Sequence, residues 1–162
     1  MTKPLVAIMM GSKSDLPVLE ESAKVLKDFG IAYEMRVLSA HRSPKETVEF
    51  AENLRSRGIQ VVICGAGVSA ALAGVVAAHT TIPVLGVPID TPPLNGIDAL
   101  LSTVQMPPGV PVGALAIGKS GAKNAALLAI RIMSLSNKTL VKKLDAFRED
   151  ERKKILDIKL ES

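Results

Sequence analysis

Val61-Val-Ile-Cys-Gly-Ala-Gly-Val-Ser-Ala-Ala-Leu-Ala-Gly-Val-Val-Ala-Ala78 is the stretch that decides the fold. Its 18 residues hold Ser69 as the one clearly polar side chain, which reaches the length of a membrane span. Its composition argues against that reading. The run opens on β-branched residues, is split by Gly65 and Gly67, and continues in Ala and Gly, which add little insertion energy compared with Leu or Phe. It therefore divides into a strand over Val61 to Cys64, a glycine-bearing loop from Gly65 to Ser69, and a helix from about Ser69 to His79. A short, fully apolar strand feeding a helix is the unit of a parallel sheet covered on both faces.

The same alternation extends outward in both directions. On the amino-terminal side lie a strand over Leu5 to Met10 and a helix over Leu16 to Phe29, with Leu16, Leu19, Ala23 and Leu26 on one stripe and Gly30 as its stop. Ala32 to Leu38 carries Glu34 and Arg36 and reads as a half-exposed strand near an edge. The following helix, closing at Gly58, opens on Ser43-Pro-Lys-Glu46, which matches a capping box with proline in the first turn. On the carboxyl side the spacing predicts a strand over Val84 to Val87, a Pro-rich loop to Asn95, and a helix near Ile97 to Gln105. A strand near Val112 to Ile117, a helix near Ala122 to Leu135, and a tail helix over Lys138 to Leu160 follow. Leu140, Leu144, Phe147, Ile155 and Ile158 fall on one side of that tail. The expected fold class is α/β, a three-layer α/β/α sandwich around a parallel sheet.

At 162 residues the chain makes one domain, and it is long enough to bury a core without disulfides or a structural metal. Hydrophobic residues at 48% exclude a disordered chain, and aromatics at 2% leave almost nothing on which nucleic-acid bases could stack. The net charge of +4 is not gathered into an arm. Residues 137–162 mix eight basic with six acidic side chains, the pattern of a solvated helix face. From Gly58 to Gly118 there is no Lys or Arg. A segment so poor in charge is either buried in the domain or covered by another copy of the chain, and oligomerisation is the expectation. One cysteine, Cys64, excludes an internal disulfide and fits a reducing compartment. With no cleavage-site pattern near the amino terminus, the expectation is a cytoplasmic protein with neither a membrane nor a nucleic-acid partner.

In such folds ligands bind beyond the carboxyl ends of the strands, where helix amino termini present free N–H groups. This singles out the loops Gly11 to Asp15, Ser39 to Ser43, Gly65 to Ser69 and Gly118 to Gly121. Gly113 to Ser120 matches the P-loop pattern to the letter, but its intervening residues are apolar strand, so the first glycine lies on the wrong side of it. Gly65 to Ala70 fits a dinucleotide fingerprint, with Asp90 where a ribose-binding acid would sit. A nicotinamide-dependent oxidoreductase is accordingly one alternative; the other reading of those glycines is close approach of the backbone to a small ligand or another subunit. Ser39-Ala40-His41-Arg42 pairs a group that titrates near neutral pH with a fork suited to phosphate or carboxylate. Gly11 to Asp15 adds hydroxyls and amides suited to phosphate, and in Asp15 a carboxylate suited to ribose hydroxyls. His79 has no such company and reads as structural, and no acidic neighbour sits at metal-ligand spacing from either histidine. Together these loops suggest a sugar-phosphate ligand and a proton-transferring histidine.

Several motifs resemble the family of 5-(carboxyamino)imidazole ribonucleotide mutases, PurE. They are Gly-Ser-Lys-Ser-Asp at 11–15, Ser-Ala-His-Arg at 39–42, Gly-Ala-Gly at 65–67 and Pro-Val-Leu-Gly-Val-Pro at 83–88. Leu94 to Pro107, ending Val-Gln-Met-Pro, and Asn124 to Ala129 add to them, so the resemblance covers nearly all of the chain before its last helix. It implies a flavodoxin-like fold, a homo-octamer, no metal and no organic cofactor. It implies His41 as the catalytic residue, Ser12, Asp15 and Arg42 as phosphate and ribose contacts, and Ser14, Ser39, Ala40, Gly65, Ala66 and Gly67 as the rest of the pocket. The activity implied moves a carboxylate from the exocyclic nitrogen of the imidazole to the ring carbon, in purine biosynthesis. Arginine after the histidine resembles this mutase branch, whereas the branch that carboxylates aminoimidazole ribonucleotide with free carbon dioxide has lysine there. A paralogue that binds the nucleotide without catalysis is the non-enzyme alternative, which the presence of His41 does not favour. The resemblance departs at 67–74, where Gly-Val-Ser-Ala-Ala-Leu-Ala-Gly stands in place of Gly-Gly-Ala-Ala-His-Leu-Pro-Gly.

Overall fold

Short apolar runs become parallel strands in the computed structural model, which describes residues 3–160. These are β1 (Val6–Met10), β2 (Tyr33–Val37), β3 (Val61–Gly67), β4 (Val84–Ile89) and β5 (Gly113–Ala114). They pair in the order β2-β1-β3-β4-β5, the flavodoxin-like arrangement of an α/β fold. Between and after them run α1 (Leu16–Asp28), α2 (Pro44–Glu52), α3 (Leu72–Ala78), α4 (Ile97–Val104), α5 (Gly118–Ser134) and α6 (Lys138–Leu156). Among the described residues no helix is long and apolar enough to cross a membrane.

The sheet is apolar on both faces because both are covered. Val6, Ile8, Met10, Val61, Ile63, Leu85, Val87 and Ile89 face α1, α5 and α6. The alternate residues Ala7, Met9, Val62, Cys64 and Val84 face α2 and α3. Every residue of β1, β4 and the first five of β3 is buried, while β2 is intermediate to exposed, as its charged pattern and edge position require. Glu34 on β2 receives two hydrogen bonds from Arg57 Nη2, at 2.6 and 2.7 Å, which secures that edge to the turn after α2. Helix α6 docks through Leu140 and Leu144, the Phe147 ring lies 5.8 Å from that of Phe29, and Lys143 donates to the Phe29 carbonyl at 2.7 Å.

The structure corrects several sequence-based boundaries. Strand β3 does not stop at Cys64: Ala66 and Gly67 pair with Pro88 and Ile89 of β4, so the expected loop at Gly65 to Ser69 is largely strand. The helix after it starts at Leu72, not Ser69. Pro88 lies inside β4, not after it, and is tolerated there because β5 pairs only with Leu85 and Gly86 and leaves that end of β4 free on one side. Strand β5 is two residues instead of six, and α5 starts at Gly118, a turn earlier than expected. The capping box at Ser43 is not formed, because the Ser43 side chain makes no cap hydrogen bond. Helix α2 ends at Glu52, and turns carry the chain on to Gly58. The tail helix ends at Leu156, and residues 161–162 of the expected tail lie outside the described residues.

Candidate active site

The strand order reverses between β1 and β3, and the carboxyl ends of these two strands therefore diverge into a crevice. A cleft of about 310 Å³ occupies it. Four segments line the cleft: the turn after β1, the turn after β2, the end of β3 with the residues following it, and Thr91 after β4.

After β1, Ser12 caps a short 3-10 turn, Lys13–Asp15, that leads into α1. The Ser12 hydroxyl accepts from the Ser14 amide at 3.3 Å, and the Ser12 amide donates to Asp15 Oδ2 at 3.0 Å. The Ser14 hydroxyl reaches both Ser12 Oγ, at 2.9 Å, and Asp15 Oδ1, at 3.3 Å. Asp15 is only 7% exposed. Burial holds its carboxyl above the ordinary carboxylate value; hydrogen bonds from Ser12, Ser14 and Gly11, and the charge of Arg42, act in the opposite direction and do not overcome it.

After β2 the chain turns sharply through Ser39 to Ser43, with His41 at its apex and exposed. Arg42 leans back over the β1 turn and donates from Nη2 to the Gly11 carbonyl at 2.7 Å. Its Nε and its backbone amide both point at Ser39 Oγ, at 3.4 and 3.2 Å. A guanidinium carries five N–H donors, so this seat leaves several of them free to meet an anion in the cleft.

Of the residues expected at the site, His41, Ser12, Ser14, Asp15, Ser39, Ala40, Arg42, Ala66 and Gly67 are brought together around the cleft. Gly65 lies beneath it. That glycine is buried in β3, its carbonyl accepts from the Gly11 amide at 3.2 Å, and a Cβ on it would stand 2.7 Å from Leu19 Cδ1. Its smallness lets α1 sit close to the sheet under the first turn. Gly67 has a tight neighbour of its own, Thr91, whose Oγ1 would lie 2.7 Å from an added Cβ. Thr91 was not among the expected site residues, although it follows β4 and the rule that named the other loops applies to it equally. Val68, held at a φ of 56°, and Ser69, Ala71 and Leu72 complete the lining, so the departure from the family pattern at 67–74 lies in the cleft wall.

The loop Gly118 to Gly121 does not line the cleft. Gly113 lies in β5 and Gly118 opens α5, with strand and extended chain between them in place of a phosphate-wrapping loop. The dinucleotide reading is corrected in the same way, since Gly65 and Gly67 are strand residues and no helix begins until Leu72. His79 caps α3 with Nδ1 3.4 Å from Glu52, remote from the cleft lining.

The family model described as AIR carboxylase matches residues 5–154. The chain belongs to that family. It is 55% identical to the N5-carboxyaminoimidazole ribonucleotide mutase of Pyrococcus abyssi over 93% of this chain and 85% of that one. It is 53% identical to the enzyme of the same name from Saccharolobus solfataricus over 98% of this chain and 99% of that one. Among solved structures it is similar to PurE of Treponema denticola, with a TM-score of 0.86, 34% identity and 95% of each chain covered. The family match ends at residue 154, so it takes in most of α6 as well as the sheet and the cleft.

Proposed function

We propose that this chain is an N5-carboxyaminoimidazole ribonucleotide mutase of purine biosynthesis, an isomerase that works in the cleft at the ends of β1 and β3. The observation that carries the reading is the placement of His41. An exposed imidazole stands at the rim of a cleft whose other walls offer hydroxyls, a guanidinium and a buried carboxyl. Relatives of this name match over nearly the whole length.

The ribonucleotide phosphate lies against Arg42, Ser12 and the start of α1, where donors converge. Asp15, in contact with the same turn, meets the ribose hydroxyls. Ala40, Ser39, Ala66 and Gly67 surround the imidazole ring of the substrate. With the phosphate anchored, remote binding energy orients the reacting end.

His41 in its protonated form gives a proton to the carbamate nitrogen. The N–C bond breaks, its electron pair stays on nitrogen, and carbon dioxide is released. Held beside the electron-rich ring, carbon dioxide is attacked by the ring carbon, and a C–C bond forms. Neutral His41 then takes the proton from that carbon and aromaticity returns. One group acts first as acid and then as base, so no net proton and no ATP are consumed. Confinement replaces a bimolecular encounter with carbon dioxide, which is where the cleft contributes most to rate.

A spectrophotometric assay tests this. The purified chain is expected to convert the carboxyamino nucleotide without bicarbonate, ATP or metal. Turnover only with aminoimidazole ribonucleotide and high bicarbonate would move the chain to the free-carbon-dioxide branch, and would make Val68, Ser69 and Ala71 in the altered wall the place to look for the cause. The reading also includes a homo-octamer in the cytoplasm, with the carboxy-terminal helix packing on a neighbouring subunit. Self-association has its support in the apolar surface left open on α4 and at the end of α6.

A further inference from the structure

We propose that Ser43 is a positioning residue for His41, holding the turn that carries the imidazole. This rests on the mutase reading above for its catalytic consequence.

Sequence pattern places Ser43 at the start of α2, where its hydroxyl would accept a helix amide. The structure has it facing the other way. The Ser43 hydroxyl accepts the Ser39 amide at 2.9 Å and lies 3.1 Å from the Ser39 carbonyl, to which it donates. The Ser43 backbone amide also donates to that carbonyl, at 2.9 Å. A single hydroxyl can do both because it carries one donor and two lone pairs. The five-residue turn is thus closed at both polar groups of its first residue, and His41 stands at its middle.

The clamp is fixed at its far end as well. The Ser43 carbonyl accepts from Thr47 Oγ1 at 2.9 Å, and Thr47, in the first turn of α2, is fully buried. At the near end, Ser39 Oγ accepts from the Arg42 amide and Nε, and Arg42 passes the restraint to Gly11. A continuous chain of hydrogen bonds therefore runs from the core beneath α2 to the β1 turn, around the residue that moves the proton. The His41 imidazole, by contrast, makes no hydrogen bond within the chain among the described residues. Its location is set by the backbone turn alone, and Ser43 is the side chain that closes that turn.

Ser43→Thr and Ser43→Val form a matched pair, equal in shape and differing by the hydroxyl, and Ser43→Ala is the third variant. Removing the hydroxyl is expected to lower kcat by about ten- to a hundredfold, the scale of a small displacement of a catalytic group. KM should stay within about twofold, because Arg42 and the first turn keep their phosphate contacts. Ser43→Thr should restore most of kcat. Amide hydrogen exchange at Ser39, measured on the same proteins, reports the turn whatever the cleft converts, and its protection should be lost in Ser43→Val and kept in Ser43→Thr. An active parent whose Ser43→Val variant keeps its kcat, or keeps Ser39 protected, overturns the proposal. An inactive parent with Ser39 protection lost only where the hydroxyl is missing leaves the clamp standing and overturns the mutase reading instead.

Discussion

At His41 and Arg42 two adjacent side chains have opposite surroundings. The imidazole is free of the protein and open to a ligand, whereas the guanidinium is seated on Gly11 and Ser39. Their substitutions should separate accordingly. His41→Asn keeps a polar group of similar reach that cannot titrate, so turnover should fall at least a hundredfold, toward the upper end of the 10²–10⁴ range for general acid–base catalysis, with nucleotide binding retained. Arg42→Ala removes an anchor present in ground and transition states alike and should chiefly raise KM. Steady-state kinetics beside nucleotide titration decides between them; more than about a tenth of parental turnover in His41→Asn would leave the proton to another group.

Asp15 makes a prediction in pH. Its folded value is raised above 3.8, so between 3.8 and that raised value the native state holds more protons than the unfolded chain. This group's contribution to stability is therefore largest in acid and declines as pH rises through that window, staying at its lower level above it. Asp15→Asn removes the decline. Relative to the parent, the variant should gain in denaturation midpoint as pH is raised from about 3.5 to 7. A difference that stays constant over this range would mean that burial of Asp15 has no energetic consequence. The sequence marks Asp15 as a sugar contact; that it is also buried depends on the Ser12 turn folding over it, which no local pattern states.

Among the elements, those legible in the sequence are those whose signal is local. β1 and β4 read as apolar runs because both faces are covered, and β2 reads as an edge because Glu34 and Arg36 interrupt its pattern. The failures come from partners that the local pattern does not announce. Strand β3 is prolonged through two glycines because β4 lies alongside in register, and Ser43 abandons its helix for Ser39. Helix α6 shows both cases at once. Leu140 and Leu144 are buried against α5 and α1, but Ile155, on the same expected stripe, is 69% exposed within the single chain. Leu144→Ala should cost about 2–4 kcal/mol of stability by transfer and cavity terms. Ile155→Ala should leave the fold of the single chain within about 0.5 kcal/mol, as surface changes do. Chemical denaturation of the two variants, each beside the parent, checks the contrast; equal losses would mean that the end of α6 is covered, by its own chain or by the neighbouring subunit.

For the whole molecule, the stretch without Lys or Arg has two parts with different explanations. Strands β3 and β4 are uncharged because they are core. Helix α4 and the turn before it are not core on every side: Leu94, Ile97, Leu101 and Val104 recur at helical spacing and are each at least half exposed. On the opposite side of α4, Ala99 and Thr103 are buried against the sheet. A helix apolar on both sides needs a second cover, and Asp98 Oδ1, on the same helix, is buried without a hydrogen-bond partner among the described residues. The expected cover is another copy of the chain, since closed homo-oligomers bury such patches in self-complementary contacts. Eight copies of a 17.1 kDa chain give a particle of about 140 kDa. Leu101→Lys places a charge in the middle of the stripe without touching the sheet or the cleft. Light scattering at micromolar concentration should report the full assembly for the parent and a smaller species for the variant, with helical content unchanged. A parent that is a stable monomer would remove the octamer and leave the α4 stripe to a different partner, while a variant that still assembles fully would place the contacts elsewhere, with the exposed end of α6 the next surface to substitute.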